Sequence, residues 1–296
     1  MKNPHVLRGY ACASGGAIIW GLSGTAGQYL LSHYDAGPLL ISNLRLLIGG
    51  VLLLAFAARQ HRPIRQLLHH RKDLVQLVCY AIFGLLMSQT AFYITIDYSN
   101  AGTAAILQTL CVVMVSVLVC ITCRRLPTKA EGLSVVLALV GVFLISTHGD
   151  PSTVNLSPLA LKWGLLTAVA SVCYSFLAAR LVQKWGSTLI NAVGMFIAGL
   201  AFTIVYQPWT MTTNLDAFGY GLLALVIVFG TVITYNLFLR GVGDIGPVKA
   251  TLLGTLEPVT SSIASACLLG TVFYVPELIG FGCIIATVFL ITLQRS

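Results

Sequence analysis

Charge is what this chain has least of. Only 9% of its 296 residues are Asp, Glu, Lys or Arg, and only nine are acidic; a soluble domain carries about 25% charged residues. With 57% hydrophobic side chains the chain cannot cover a water-facing surface, so it reads as an integral membrane protein. No phosphate-binding glycine loop of the P-loop type is present, which argues against ATP as the energy source. Cys120-x-x-Cys123 stands alone, and a zinc site needs a second pair. His61, His69 and His70 lie among arginines, where repulsion disfavours a metal ion. Seven of the eight cysteines (Cys12, Cys79, Cys111, Cys120, Cys173, Cys267, Cys283) fall inside apolar runs and act as small hydrophobes rather than as a disulfide framework. Gly241-Val242-Gly243-Asp244 and Tyr34-Asp35 resemble the two aspartate elements of intramembrane proteases, but the topology below puts them on opposite faces, where they cannot share a proton. Neither an enzyme nor a cofactor is expected.

What the chain has is long apolar runs. Ten reach membrane-spanning length: 9–31, 37–58, 74–96, 100–122, 129–147, 160–182, 187–206, 218–239, 247–269 and 277–293. They are too long for strands, which need about 10 alternating residues. The first is long, glycine-rich and followed by nine more, so it reads as a helix of the mature protein rather than a signal peptide. Of the 17 Lys and Arg, only Lys162 falls on the outer side and Arg45 within the membrane if both termini are cytoplasmic. That asymmetry fixes the orientation and explains the net charge of +8 without nucleic acid.

The second half repeats the first. A constant shift of 146 (229 minus 83) pairs Phe83-Gly84 with Phe229-Gly230, Phe92 with Phe238, Thr109-Leu110 with Thr255-Leu256, Glu131 with Glu277, and Val142 to Ile145 with Val288 to Ile291. Five helices per half start the second half from the opposite face, so the repeats are inverted. The expected architecture is an all-α membrane protein of ten transmembrane helices in two inverted five-helix repeats. Residues 1–148 form the first repeat, 149–158 an outer linker and 159–296 the second repeat.

One stretch sets a charge inside this apolar frame. Pro247 suits the first turn of a helix, and ten residues at ~1.5 Å rise carry Glu257 ~15 Å inward. That is about half of a ~30 Å hydrocarbon core. Pro258 then removes an amide donor beside the acid and breaks the helix, freeing the Gly254 carbonyl. The repeat partner of Glu257-Pro258 is Cys111-Val112, so one half alone carries the acid. Glu257 can bind a proton, serve as counter-charge to a cationic solute, or cap the backbone groups that Pro258 frees. Arg45, ~10 Å below the outer end of its helix, can meet a solute carboxylate, pair with Glu257, or brace helix packing. Trp20 and Tyr174 sit at comparable mid-depths and wall a cavity or pack. Gln89 and Tyr235 are repeat-related, and Gln108 and Asn236 add amides; polar groups in lipid must face the bundle interior.

With these elements in hand the chain resembles the EamA family of the drug/metabolite transporter superfamily. The likeness rests on Trp20-Gly21, on Arg45 within Asn43-Leu44-Arg45-Leu46-Leu47, on Leu256-Glu257-Pro258-Val259 and on the Gly280 to Ile291 stretch. The first half departs from the pattern, since Thr109-Leu110-Cys111-Val112-Val113 lacks the Glu-Pro often found there. The resemblance implies a solute carrier, often an exporter of amino acids or other metabolites. The function expected is secondary-active transport of a small amphipathic metabolite by alternating access, with protons as a possible coupling ion. The alternatives are a proton-coupled importer or exchanger of small organic cations, and a non-transporting scaffold or receptor. Expected surroundings are a small-molecule solute and the cell membrane, with the protein a monomer or homodimer.

Overall fold

A computed structural model describes residues 4–34, 36–60, 63–148, 150, 155–210 and 213–294. Among these the chain is helical, without strands. The first half comprises α1 (Pro4–His33), α2 (Pro38–Arg59), α3 (Ile64–His69), α4 (Arg71–Cys79), α5 (Met87–Tyr98), α6 (Ala101–Thr109), α7 (Cys111–Thr122) and α8 (Lys129–Thr147). The second comprises α9 (Pro158–Trp185), α10 (Ser187–Tyr206), α11 (Ala217–Ile227), α12 (Thr234–Ile245), α13 (Pro247–Gly254), α14 (Leu256–Leu269) and α15 (Val275–Gln294). Pro38, Pro158 and Pro247 open their helices, where a missing N–H leaves no bond unmade. Asn100, Thr128 and Asp216 cap α6, α8 and α11 by accepting from the N–H of Thr103, Glu131 and Gly219. Tyr34 also donates to Asp216, at 2.7 Å, tying the end of α1 to the start of α11. The Gly219 N–H and then Tyr34 hold the Asp216 carboxyl below its usual range, and the same bond pushes the Tyr34 phenol up to about 12.

Nine helical stretches among the described residues, from Pro38–Arg59 to Val275–Leu293, are long and apolar enough to cross a membrane. Ten such segments are expected from the sequence. The difference is α1, the longest helix at 30 residues, whose glycines and serines dilute its apolarity. Its surroundings explain this: α1 packs against α12 and α14, with α6, α11 and α13 also touching it. A helix enclosed by neighbours needs close approach more than it needs apolar bulk.

The two halves make matching contacts. α2 packs on α10, and α8 on α15. A Cβ added at Gly50 would lie 2.6 Å from the Phe196 backbone nitrogen, and one at Gly199 would lie 2.4 Å from that of Leu47. Both pairings obey one shift of 149 (199 minus 50, 196 minus 47), so each helix offers the other the same surface. Position 47 meets 199 while 50 meets 196, so α2 and α10 run antiparallel. The neighbours at both glycines are backbone atoms, which cannot swing aside. Gly199→Val is therefore expected to cost about 1–3 kcal/mol, read as a lower melting temperature of the purified protein; an unchanged melting temperature would mean that the helices do not touch there.

The expected linker, 149–158, lies partly outside the described residues (149 and 151–154), as do Asp35 and His61. Its described end returns to the first half, with the Asn155 and Leu156 amides donating to the Ser146 carbonyl. Asp244, the other aspartate singled out above, is held by two hydrogen bonds of 2.8 Å from Arg8.

Candidate functional site

Between the halves lies a cavity of about 420 Å³, a size that suits a small organic molecule. Its lining repeats the internal symmetry. Ala105 and Thr251, Gln108 and Gly254, Cys111 and Glu257, Val112 and Pro258, Gln89 and Tyr235, and Phe92 and Phe238 all line it, and each pair is separated by the same shift of 146. The cavity thus sits where the two repeats meet.

Local structure explains why these side chains face inward. In the second half the helix ends at Gly254 and restarts at Leu256, with Thr255 between them. Its Oγ1 and N–H both donate to the Leu252 carbonyl, Oγ1 at 2.7 Å. The first half breaks one residue beyond the equivalent position, at Leu110 between α6 and α7, although it has no proline there. Each half also contains a wide π-helical turn, Tyr80–Leu86 and Val228–Ile233; the shift maps the first onto 226–232, overlapping the second. Such turns leave carbonyls short of their usual partners and concentrate at functional sites.

Arg45 serves one of these turns. Its Nη2 donates to the Gly230 carbonyl at 2.8 Å, Nε to Thr231 Oγ1 at 3.2 Å and Nη1 to the Tyr93 hydroxyl at 3.0 Å. It also lies over the Tyr93 ring. The side chain is 5% exposed. No carboxylate among the described residues lies within ion-pair distance of it, so the pairing with Glu257 that its depth suggested is not made. The reason is competition: the freed carbonyl and two hydroxyls already hold its donors.

Glu257 stands in the opposite condition. It lines the cavity, is half-buried, and its carboxylate makes no hydrogen bond among the described residues. The backbone-capping role is therefore not taken up, and the acid is left facing the cavity. Around it the chemistry is mixed. Trp20 meets Tyr235 edge-on, with ring centres 5.2 Å apart, and lies at the same separation from Phe238. Ser171, also on the lining, receives Gln108 Nε2 at 3.4 Å and lies 3.1 Å from Ser88 Oγ. The lining thus combines aromatic rings and an acid with hydroxyls and amides.

The structure brings Glu257, Arg45, Trp20, Tyr174, Gln89, Gln108, Tyr235 and Pro258 to this one cavity. Asn236 is not among them: its Nδ2 donates to the Val232 carbonyl at 2.6 Å, because a buried amide satisfies the nearest free acceptor. Trp20 and Tyr174 are close to equivalent but not partners. Gly84 packs on Tyr174 and its repeat mate Gly230 packs on Ser23, so the counterpart of Tyr174 is Ser23, one turn from Trp20. Tyr174 instead leans on Tyr80 and donates to Asn191 at 3.3 Å. Sequence reasoning passed over Phe92, Phe238, Ser88, Ser171 and Thr251 as lining residues, although the Phe92 and Phe238 match was itself one of the repeat signals.

Comparisons with known proteins agree with this arrangement. The model of the EamA-like transporter family matches twice, over residues 7–147 and 158–293. An uncharacterized inner membrane transporter of Salmonella typhimurium, YicL, is 32% identical over 251 residues, covering 84% of this chain and 83% of its own. YyaM of Bacillus subtilis, named as an uncharacterized transporter, is 26% identical over 203 residues, 66% of each chain. A protein of known crystal structure shares the fold, with a TM-score of 0.65 at 14% identity over 96% of both chains. Two family matches, one on each side of a cavity built from repeat-related pairs, leave one assignment: the chain belongs to the EamA-like transporter family and is a membrane transporter.

Proposed function

We propose that the cavity carries an amphipathic, amine-bearing metabolite, such as an amino acid or a small organic cation, by secondary-active alternating access. The observation that carries this reading is the Glu257 carboxylate, which lines the cavity without a hydrogen bond or ion pair among the described residues, beside Trp20, Tyr235 and Phe238. An acid beside aromatic faces is suited to an ammonium group. Arg45 is occupied by Gly230, Thr231 and Tyr93, so a solute carboxylate would meet the amides of Gln89 and Gln108 instead. A proton replaces the solute on Glu257 in the return step, which couples the cycle to a pH gradient.

In this reading residues 1–148 and 159–296 are inverted five-helix repeats joined by 149–158 on the outer side, both termini are cytoplasmic and the protein resides in the inner or plasma membrane. Export is the direction carried over from the family resemblance. One clasp supports closure at the outer end. Gln28 of α1 donates to Thr271 Oγ1 at 3.2 Å, and its Oε1 accepts from the Ala101 amide and from Ser265 Oγ, each at 2.9 Å. Residues of both halves meet there, and access from outside requires breaking these bonds.

Thermal stabilisation of the purified protein across amines, their neutral isosteres, amino acids, nucleosides and sugars tests the solute class. Amines are expected to raise the melting temperature where isosteres do not; stabilisation by sugars or nucleosides alone would overturn the assignment. Orientation has its own test in a cysteine-free background. Asn214→Cys is expected to react with an impermeant thiol reagent on intact cells and Gln66→Cys to stay unlabelled; the opposite pattern would reverse the topology.

A further inference from the structure

A second cavity, of about 480 Å³, opens between α7 and α8 at the end of the bundle away from the Gln28 clasp and shares no lining residue with the solute site. Its walls are apolar: Val117, Ile121 and Val135 line it, and Leu126, which is 90% exposed, stands at its mouth. Its polar floor is already satisfied. The Glu131 carboxylate accepts from Arg125 twice, at 2.6 and 2.7 Å, from the Thr128 amide at 2.9 Å and from Ser116 Oγ at 3.0 Å. Arg125 and Glu131 therefore cancel, which leaves the positive charge of Arg124, also lining the cavity. The Arg124 guanidinium makes no hydrogen bond or ion pair among the described residues.

Arg124 also sits where a side chain is least welcome. Its φ is +49°, the left-handed conformation that follows many helices and favours glycine. The repeat mate of Arg124, by the shift of 146, is Gly270, with φ +67°. The capping carboxylate is preserved in both halves, since Glu277 accepts from the Tyr274 amide as Glu131 does from Thr128. One half thus uses the residue the backbone prefers, and the other puts an unpaired cation in that place, beside an apolar groove on the outer surface of the bundle.

We infer that this groove is a binding site for an anionic phospholipid, with the headgroup phosphate on Arg124 and an acyl chain along Val117, Ile121 and Val135. Charge complementarity and the apolar walls together select this occupant: a soluble phosphate would make no use of the walls, and a zwitterionic lipid offers no net charge to the free guanidinium. The inference does not depend on the solute proposed for the central cavity.

The test uses the full-length protein in detergent micelles doped with phosphatidylglycerol or with phosphatidylcholine of the same chains. Phosphatidylglycerol is expected to raise the melting temperature by about 2 °C or more over phosphatidylcholine, and to be retained as a bound adduct in native mass spectrometry. Arg124→Gly gives this half the glycine of the other, so it is expected to fold at least as well and to lose both the difference and the adduct. Arg65→Gln, which removes an exposed cation elsewhere on the same face, is expected to keep them. Equal responses to the two lipids in the unmodified protein, a retained response in Arg124→Gly, an equal loss in Arg65→Gln, or a rise reproduced by inorganic phosphate alone would each overturn the site.

Discussion

Glu257→Gln is expected to leave the protein folded and to abolish coupled transport. The carboxylate makes no hydrogen bond to the described residues, so an amide of the same shape removes no structural contact, and the melting temperature of the solute-free protein is expected to stay within about 2 °C of the unmodified value. A charge-assisted contact to an ammonium group contributes about 1.5–3 kcal/mol, and each 1.4 kcal/mol corresponds to about tenfold in affinity. Flux in proteoliposomes at sub-saturating solute is therefore expected to fall at least about tenfold, and what remains to ignore an imposed pH gradient, because the amide cannot take up a proton. Transport at the original rate with an unchanged pH profile would make the acid a bystander.

Arg45→Ala is expected to do the reverse and act on the fold. Its guanidinium satisfies the Gly230 carbonyl in the π-helical turn as well as Thr231 and Tyr93, all inside the bundle. Side-chain hydrogen bonds within membranes contribute roughly 0.6–1.7 kcal/mol each, so losing three is expected to cost about 2–5 kcal/mol and to show as a large loss of monodisperse protein on extraction. Arg45→Lys keeps the charge but, as a compact ammonium, cannot span three acceptors in one plane, so it is expected to recover only part of that loss. If Arg45→Ala instead melts normally while transport fails, the arginine belongs to the solute and not to the turn.

These two residues also mark how far the sequence can be read. The span lengths and the repeat register follow from the apolar runs and one constant shift, and the helices lie close to the expected bounds; the depth of Glu257 rests on rise per residue and bilayer thickness. The break beside Pro258 was legible because proline removes a donor. Its counterpart at Leu110, one residue beyond the mate of Thr255, was not, since Thr109-Leu110-Cys111 carries no breaking residue and only the repeat places an interruption near it. Rise per residue gives Arg45 and Glu257 similar expected depths, and depth alone suggested a pair; which donors meet which acceptors depended on the π-helical turn at Gly230, for which no local sequence signal exists. Asn236 misled for the same reason, because a polar residue in a span must find a partner but its nearest acceptor was its own helix. α1 failed an apolarity criterion that suits lipid-facing helices, since its surroundings are mostly protein.

Solute counterflow in proteoliposomes tests the central claim most directly. Vesicles loaded with the most stabilising amine from the thermal screen are diluted into a trace of the same amine, labelled, and in parallel into its labelled hydroxyl isostere. The account predicts transient accumulation of the labelled amine above its equilibrium level with the unmodified protein, none with Glu257→Gln, and none for the isostere. Equal accumulation of amine and isostere, or accumulation undiminished in Glu257→Gln, would contradict it.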